Sequence, residues 1–150
     1  MKFAEARQVA DAALAKAADI GRPVAVVVVD AGGWVLLAEN HSPREAFAAY
    51  SAECKAVTSA LIGRDSKDVI GTMERYPFLH APLYDRLSGR FLAMGGGALL
   101  KRGDDVIGGI GVAGSGAETD HEIAKAAASQ FFDEVPAWVS GSAPAAGNNA

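Results

Sequence analysis

The sequence has a single cysteine, Cys54, so no internal disulfide can form, and this usage fits a reducing compartment. Its longest apolar run, VAVVVV, falls far short of the ~20 residues that cross a bilayer. The N-terminal MKFAEARQVADAAL carries acids where a signal peptide needs an apolar stretch. Positive charge is not in excess: 14 basic residues face 18 acidic ones, for a net charge of −4. That balance leaves no basic face for nucleic acid. No Cys/His pair has zinc-ligand spacing, and no G-x-S-x-G or lipidation motif occurs. The expectation is a soluble cytoplasmic protein with neither a nucleic-acid nor a membrane partner. With 150 residues, one domain buries enough surface to need neither disulfide nor structural metal.

What is present reads as helices separated by runs of two or three strands. Residues 3–20 place Phe3, Ala6, Val9, Ala13, Leu14 and Ala17 at helical spacing, and Gly21-Arg22-Pro23 ends that helix. VAVVVVD (24–30) is β-branched on both faces, hence a central strand covered on both sides. A turn at Asp30-Ala31-Gly32-Gly33 leads into the partner strand WVLLAEN (34–40). Ser42-Pro43-Arg44-Glu45 has the form of a capping box opening a helix to about Ile62, with Phe47, Tyr50, Cys54, Val57 and Leu61 on one stripe. The alanines of that helix (Ala46, Ala48, Ala49, Ala52) invite close approach of another helix and so self-association. A short helix over 66–75, an irregular loop over 76–90, and strands RFLAM, ALLKR and VIGGIGVAG follow. Thr119-Asp120-His121-Glu122 resembles a capping box for a last helix to about Asp133. The order α, β, β, α, α, β, β, β, α predicts an α+β fold. Residues 1–134 form the domain and 135–150 a flexible tail by composition.

GIGVAG (109–114) contains a literal G-x-G-x-x-G. A dinucleotide site needs that turn inside a βαβ unit with an acid at the end of the next strand. Here only the tail follows the last helix, so NAD is not expected; glycines within a strand fit close approach of another backbone or a ligand.

Three blocks carry a resemblance: PVAVVVVDAGGWVLLAEN, AAYSAECKAVTSAL and FLAMGGGALLKRGDDVIGGIGVAGSGAETDHEIAKAA. In order and spacing they resemble the GlcG/HbpS family, labelled haem-degrading, which includes the C-terminal domain of PduO-type cobalamin adenosyltransferases. The resemblance covers about residues 3–133. It implies a profilin- or PAS-like domain, a five-stranded antiparallel sheet flanked by helices, homo-oligomers, and in some members a haem or corrinoid ligand. Two departures stand out. Many members carry arginine on the second strand where this chain has Glu39-Asn40-His41-Ser42, and the first helix lacks the histidine that the PduO-type domain uses for haem.

Several residues offer chemistry. Lys55, in the K-A-x-T block, sits among small residues where partial burial lets a lysine meet an anion or act as a base. Asp30 reads either as a turn-closing acceptor or as a catalytic acid. Glu39 and His41 follow the second strand, a site pair or ordinary surface groups. His80, with Tyr84 in YPFLHAPLYDRL, is the expected haem-iron ligand, against the alternative of a packed or exposed histidine. Gly96, in the triple-glycine break, and Asp120 with His121, in the first turn of the last helix, complete the ligand-binding candidates. Three readings follow: a haem- or tetrapyrrole-binding accessory protein; a cofactor-independent enzyme on a small organic acid or carbonyl compound, using Lys55 and nearby acids; and a non-catalytic partner in a metabolic gene cluster.

Overall fold

The structure, a computed structural model, describes residues 1–42 and 46–131. Its elements in chain order are α1 (Phe3–Asp19), β1 (Ala25–Asp30), β2 (Val35–Asn40), α2 (Ala48–Ile62), α3 (Ile70–Arg75), α4 (His80–Arg86), β3 (Gly97–Arg102), β4 (Asp105–Ala113) and α5 (Ala117–Ala128). The strands form one antiparallel sheet in the order β2-β1-β4-β3.

β1 is central, and its valines divide between two cores. Val26 and Val28 join a cluster with α1 and α5, whereas Val27 and Val29 join one with α2. Each valine so buried contributes about 1.5–3 kcal/mol, which is why a run without polar alternation occupies this place. α1 meets the sheet and α5 through Ala6, Val9, Ala10, Ala13 and Ala17, the spacing of one helical face. It stops where expected: Gly21 adopts φ +66° and Arg22 N–H donates to Ala17 O at 2.9 Å.

α2 lies on the other side, close against β4. A Cβ on Gly111 would stand 1.8 Å from Ala52 O, and one on Gly109 would stand 2.4 Å from Ala56 O. Gly109 and Gly111 of GIGVAG are therefore strand glycines that admit a helix backbone, whereas Gly114 follows the strand at φ +124°. Only small residues fit the facing side of α2, so Ala48, Ala52 and Ala56 point at the sheet. This corrects the expected stripe: Cys54 and Val57 are buried, but Phe47, Tyr50 and Leu61 are exposed. It also removes Ala48 and Ala52 from any surface for self-association.

Among the described residues the sheet has four strands where five were expected. RFLAM is not a strand, because Leu92 N–H donates to the Thr58 hydroxyl at 2.9 Å and Met94 N–H turns back to Leu92 O. The expected loop over 76–90 instead holds α4, with Pro82 in its first turn, where a missing N–H costs nothing. α5 begins after Gly116, two residues before the expected cap at Thr119. The expected cap at Ser42–Glu45 lies partly outside the described residues, and the expected tail over 135–150 lies wholly outside them. Among those described, no helix is long and apolar enough to cross a membrane.

Candidate functional site

The residues named from sequence fall into three places, with Asp30 apart from them in the β1–β2 turn. The first is interior. Close packing of α2 carries Lys55 under the end of β4, leaving it 1% exposed rather than partly buried. Its Nζ donates to Val112 O at 3.0 Å and to Asp120 Oδ2 at 3.1 Å. The other oxygen of Asp120 accepts from Ser115 N–H at 2.9 Å and from the Ser115 hydroxyl at 2.7 Å. Asp120 thus reaches back over the start of α5 and binds three donors. Gly96, at φ +122°, has no room for a side chain, since its Cβ would stand 2.8 Å from Lys55 Nζ and 2.5 Å from Val112 O. Lys55, Gly96 and Asp120 are therefore one unit, tying α2, β4 and α5 together. His121 lies beside it, half-buried against Gly95, with Nδ1 lacking a hydrogen-bond partner among the described residues. Burial pushes its imidazole below the ordinary histidine range.

Asp30 and Glu39 do not join Lys55. Asp30 Oδ1 accepts from Gly32 N–H at 2.9 Å and Trp34 N–H at 3.0 Å, closing the β1–β2 turn. It pairs with Gly108, about 13 Å along β4 from Val112 at ~3.3 Å per residue. Glu39 pairs with Val26 and so faces α1, with the sheet between it and Lys55.

The second place is the end of α1. Leu14, Ala17, Ala18, Pro23 and Val24 wall a groove of about 460 Å³, to which Arg22 and His41 bring polar groups. His41 is seated by its backbone, whose N–H donates to Val24 O at 3.0 Å. Its Nε2 lies 2.9 Å from Glu39 Oε2, and Glu39 Oε1 takes the guanidinium of Arg7, which also reaches Asp11 at 3.3 Å. The hydrogen bond to His41, followed by the one to Arg7, holds the Glu39 carboxyl below the usual carboxylate range. Sequence reasoning paired Glu39 with His41 but missed Arg7 and Arg22. No local pattern marks Arg7, because its partner comes from another element.

The third place is α4. His80 stands exposed at its start, not in a loop, stacked on Tyr84 with ring centroids 6.0 Å apart and edge-on to Phe91 at 5.4 Å. An open cavity of about 570 Å³ is lined by His80, Ala81, Pro82, Tyr84 and Asp85. Behind it, the Tyr50 hydroxyl donates to Gly89 O at 2.8 Å. The Cys54 thiol and then the Tyr84 hydroxyl beside it push the Tyr50 phenol up to about 12. Burial pushes the Cys54 thiol up as well.

Solved structures with this arrangement of elements are similar over nearly their whole length. Protein ORFY of Klebsiella pneumoniae is 27% identical with a TM-score of 0.79, over 87% of this chain and 90% of that one. A double mutant of HbpS from Streptomyces reticuli is 26% identical with a TM-score of 0.78, over 88% and 87%. A PduOC:haem complex is 27% identical with a TM-score of 0.76, over 86% and 93%. No curated protein matches the chain. The family described as haem-degrading protein HbpS-like matches residues 1–129. On these residues, and on the four-stranded sheet that bears them, the chain belongs to the HbpS-like family.

Proposed function

We propose that the protein binds haem or a related tetrapyrrole in the groove at the end of α1, using His41 and Arg22. The family description and the haem complex of the similar PduOC protein support the class of ligand. Such a ligand asks for an apolar wall, a nitrogen for the metal and a cation for its carboxylates. Leu14, Ala17, Pro23 and Val24 furnish the wall, and Arg22 makes no ion pair among the described residues that would compete for a propionate. The observation that carries the reading is His41, which lines an apolar groove while Glu39 holds its Nε2 at 2.9 Å. Bound iron supplies a coordination position that an imidazole nitrogen can fill. The chain's part is to fix that imidazole, through the His41–Val24 backbone bond and Glu39, and to keep one side of the ligand dry.

His80 fits the same ligand less well. Its ring is already engaged by Tyr84 and Phe91, and Asp85 brings a carboxylate into a cavity that would have to accept propionates. A haemin titration followed in the Soret region separates the two. His41→Ala should weaken binding at least ~10-fold, about 1.4 kcal/mol, while His80→Ala leaves it unchanged. Loss confined to His80→Ala would move the site to α4. A wild-type protein that gives no saturable Soret band would refute the haem reading.

A further inference from the structure

We infer that Glu39 is a positioning residue for His41, clamped by Arg7, that keeps the proton on Nε2 and leaves Nδ1 as the bare nitrogen for a ligand. The inference rests on the proposed use of His41 and adds what governs it. Glu39 stands on β2, an edge strand, in register with Val26, which turns its side chain toward α1. Arg7 and Leu14 are seven residues apart on α1, two turns, and so share a face. The Arg7–Glu39 pair and the groove wall therefore lie on one line of that helix. Each carboxylate oxygen of Glu39 has its own partner, Oε1 the guanidinium and Oε2 the imidazole. A carboxylate fixed at one oxygen has little freedom at the other, so the imidazole inherits its direction from α1.

This matters because a carboxylate can only accept. Facing an ionised Glu39, Nε2 must donate, and the neutral ring then has Nδ1 as its acceptor. A carboxylate behind an imidazole also strengthens the ring as an electron donor to a metal. Glu39 and Arg7 are partly solvated, at 28% and 39% side-chain exposure, so their removal disturbs the ring more than the fold.

Two measurements test this, one without any ligand. In long-range ¹H–¹⁵N spectra of the ligand-free protein, His41 should be held as the Nε2–H tautomer. Glu39→Ala should release it to a mixture with the Nδ1–H form, and Arg7→Ala should do so in part. An unchanged tautomer ratio in Glu39→Ala overturns the inference, whether or not haem binds. With haemin loaded, Glu39→Gln should retain the Soret band but shift the iron midpoint potential upward, and Glu39→Asp should return it toward wild type. A potential unmoved by Glu39→Gln, in a protein whose Soret band depends on His41, also overturns it. Failure of wild type to bind haemin refutes the proposed function and leaves the tautomer result to decide the role of Glu39.

Discussion

Replacing Lys55 by methionine is the sharpest perturbation of the interior. Methionine keeps the length and helix propensity of lysine, so the change removes charge and donors and little else. Lys55 Nζ donates to Val112 O and Asp120 Oδ2, and both side chains of the pair are almost wholly buried, at 2% and 3% exposure. Without the ammonium, Asp120 retains its two Ser115 donors but no counter-charge, and Val112 O loses a partner. Breaking a buried pair from one side costs about 3–5 kcal/mol, a large share of a typical domain stability of about 5–15 kcal/mol. With a urea m-value of about 2 kcal/mol/M, the midpoint should fall by about 2 M. Removing both charges, as in Lys55→Met with Asp120→Leu, should cost much less than the two single changes together, because an apolar pair leaves no orphaned charge. The assay is urea unfolding of the two single variants and the double. A Lys55→Met midpoint within about 0.5 M of wild type, roughly 1 kcal/mol, would refute the reasoning, and so would simple additivity of the two costs. Haemin affinity of folded Lys55→Met should match wild type, since Lys55 lies across the sheet from the α1 groove.

Gly111→Ala should destabilise by about 3 kcal/mol or more, because the new methyl falls 1.8 Å from Ala52 O and only movement of α2 relieves it. Gly71→Ala, within α3 and with open space around it, should be neutral or stabilising by up to ~1 kcal/mol, so equal melting temperatures for the two variants would argue against the helix–strand contact. His121 supplies a pH test. Its folded pKa is lowered, so as pH falls below the ordinary value of 6.5 the unfolded chain takes up its proton first and stability drops until the folded pKa is passed. His121→Leu should flatten the stability profile just below pH 6.5 without altering its shape above pH 7, and profiles that stay parallel to wild type would count against burial as the cause.

The sequence makes some of this legible because the governing forces are local. Gly21-Arg22-Pro23 stops α1 with φ and N–H rules that act within three residues, and the valines of β1 declare a doubly covered strand by composition alone. RFLAM misleads for the opposite reason. Its apolar run is strand-like, but its Leu92 N–H is claimed by Thr58 on α2, a partner that no local pattern names. Pro77 and Pro82 read as loop signals, yet a proline at a helix start is harmless, so α4 forms around His80. The same limit applies to the site. Lys55, Gly96 and Asp120 each stand out singly, but their union joins residues 65 apart along the chain. Arg7 looks like any helix arginine until β2 brings Glu39 beside it.

The place of β1 in the sheet also fixes when the protein can finish folding. β1 can pair with β2 as soon as their hairpin is made, but its other edge waits for β4, where Asp30 meets Gly108. At about 5–20 residues per second, the intervening ~80 residues take several seconds to synthesise. During that interval the most apolar strand of the chain has one open edge, and α2 lacks the glycine-bearing strand it packs on. A nascent chain stalled just before residue 105 should therefore be the species that chaperones hold and that aggregates when they do not, whereas release of β4 closes the sheet, seats α2 and brings α5 round to meet Lys55.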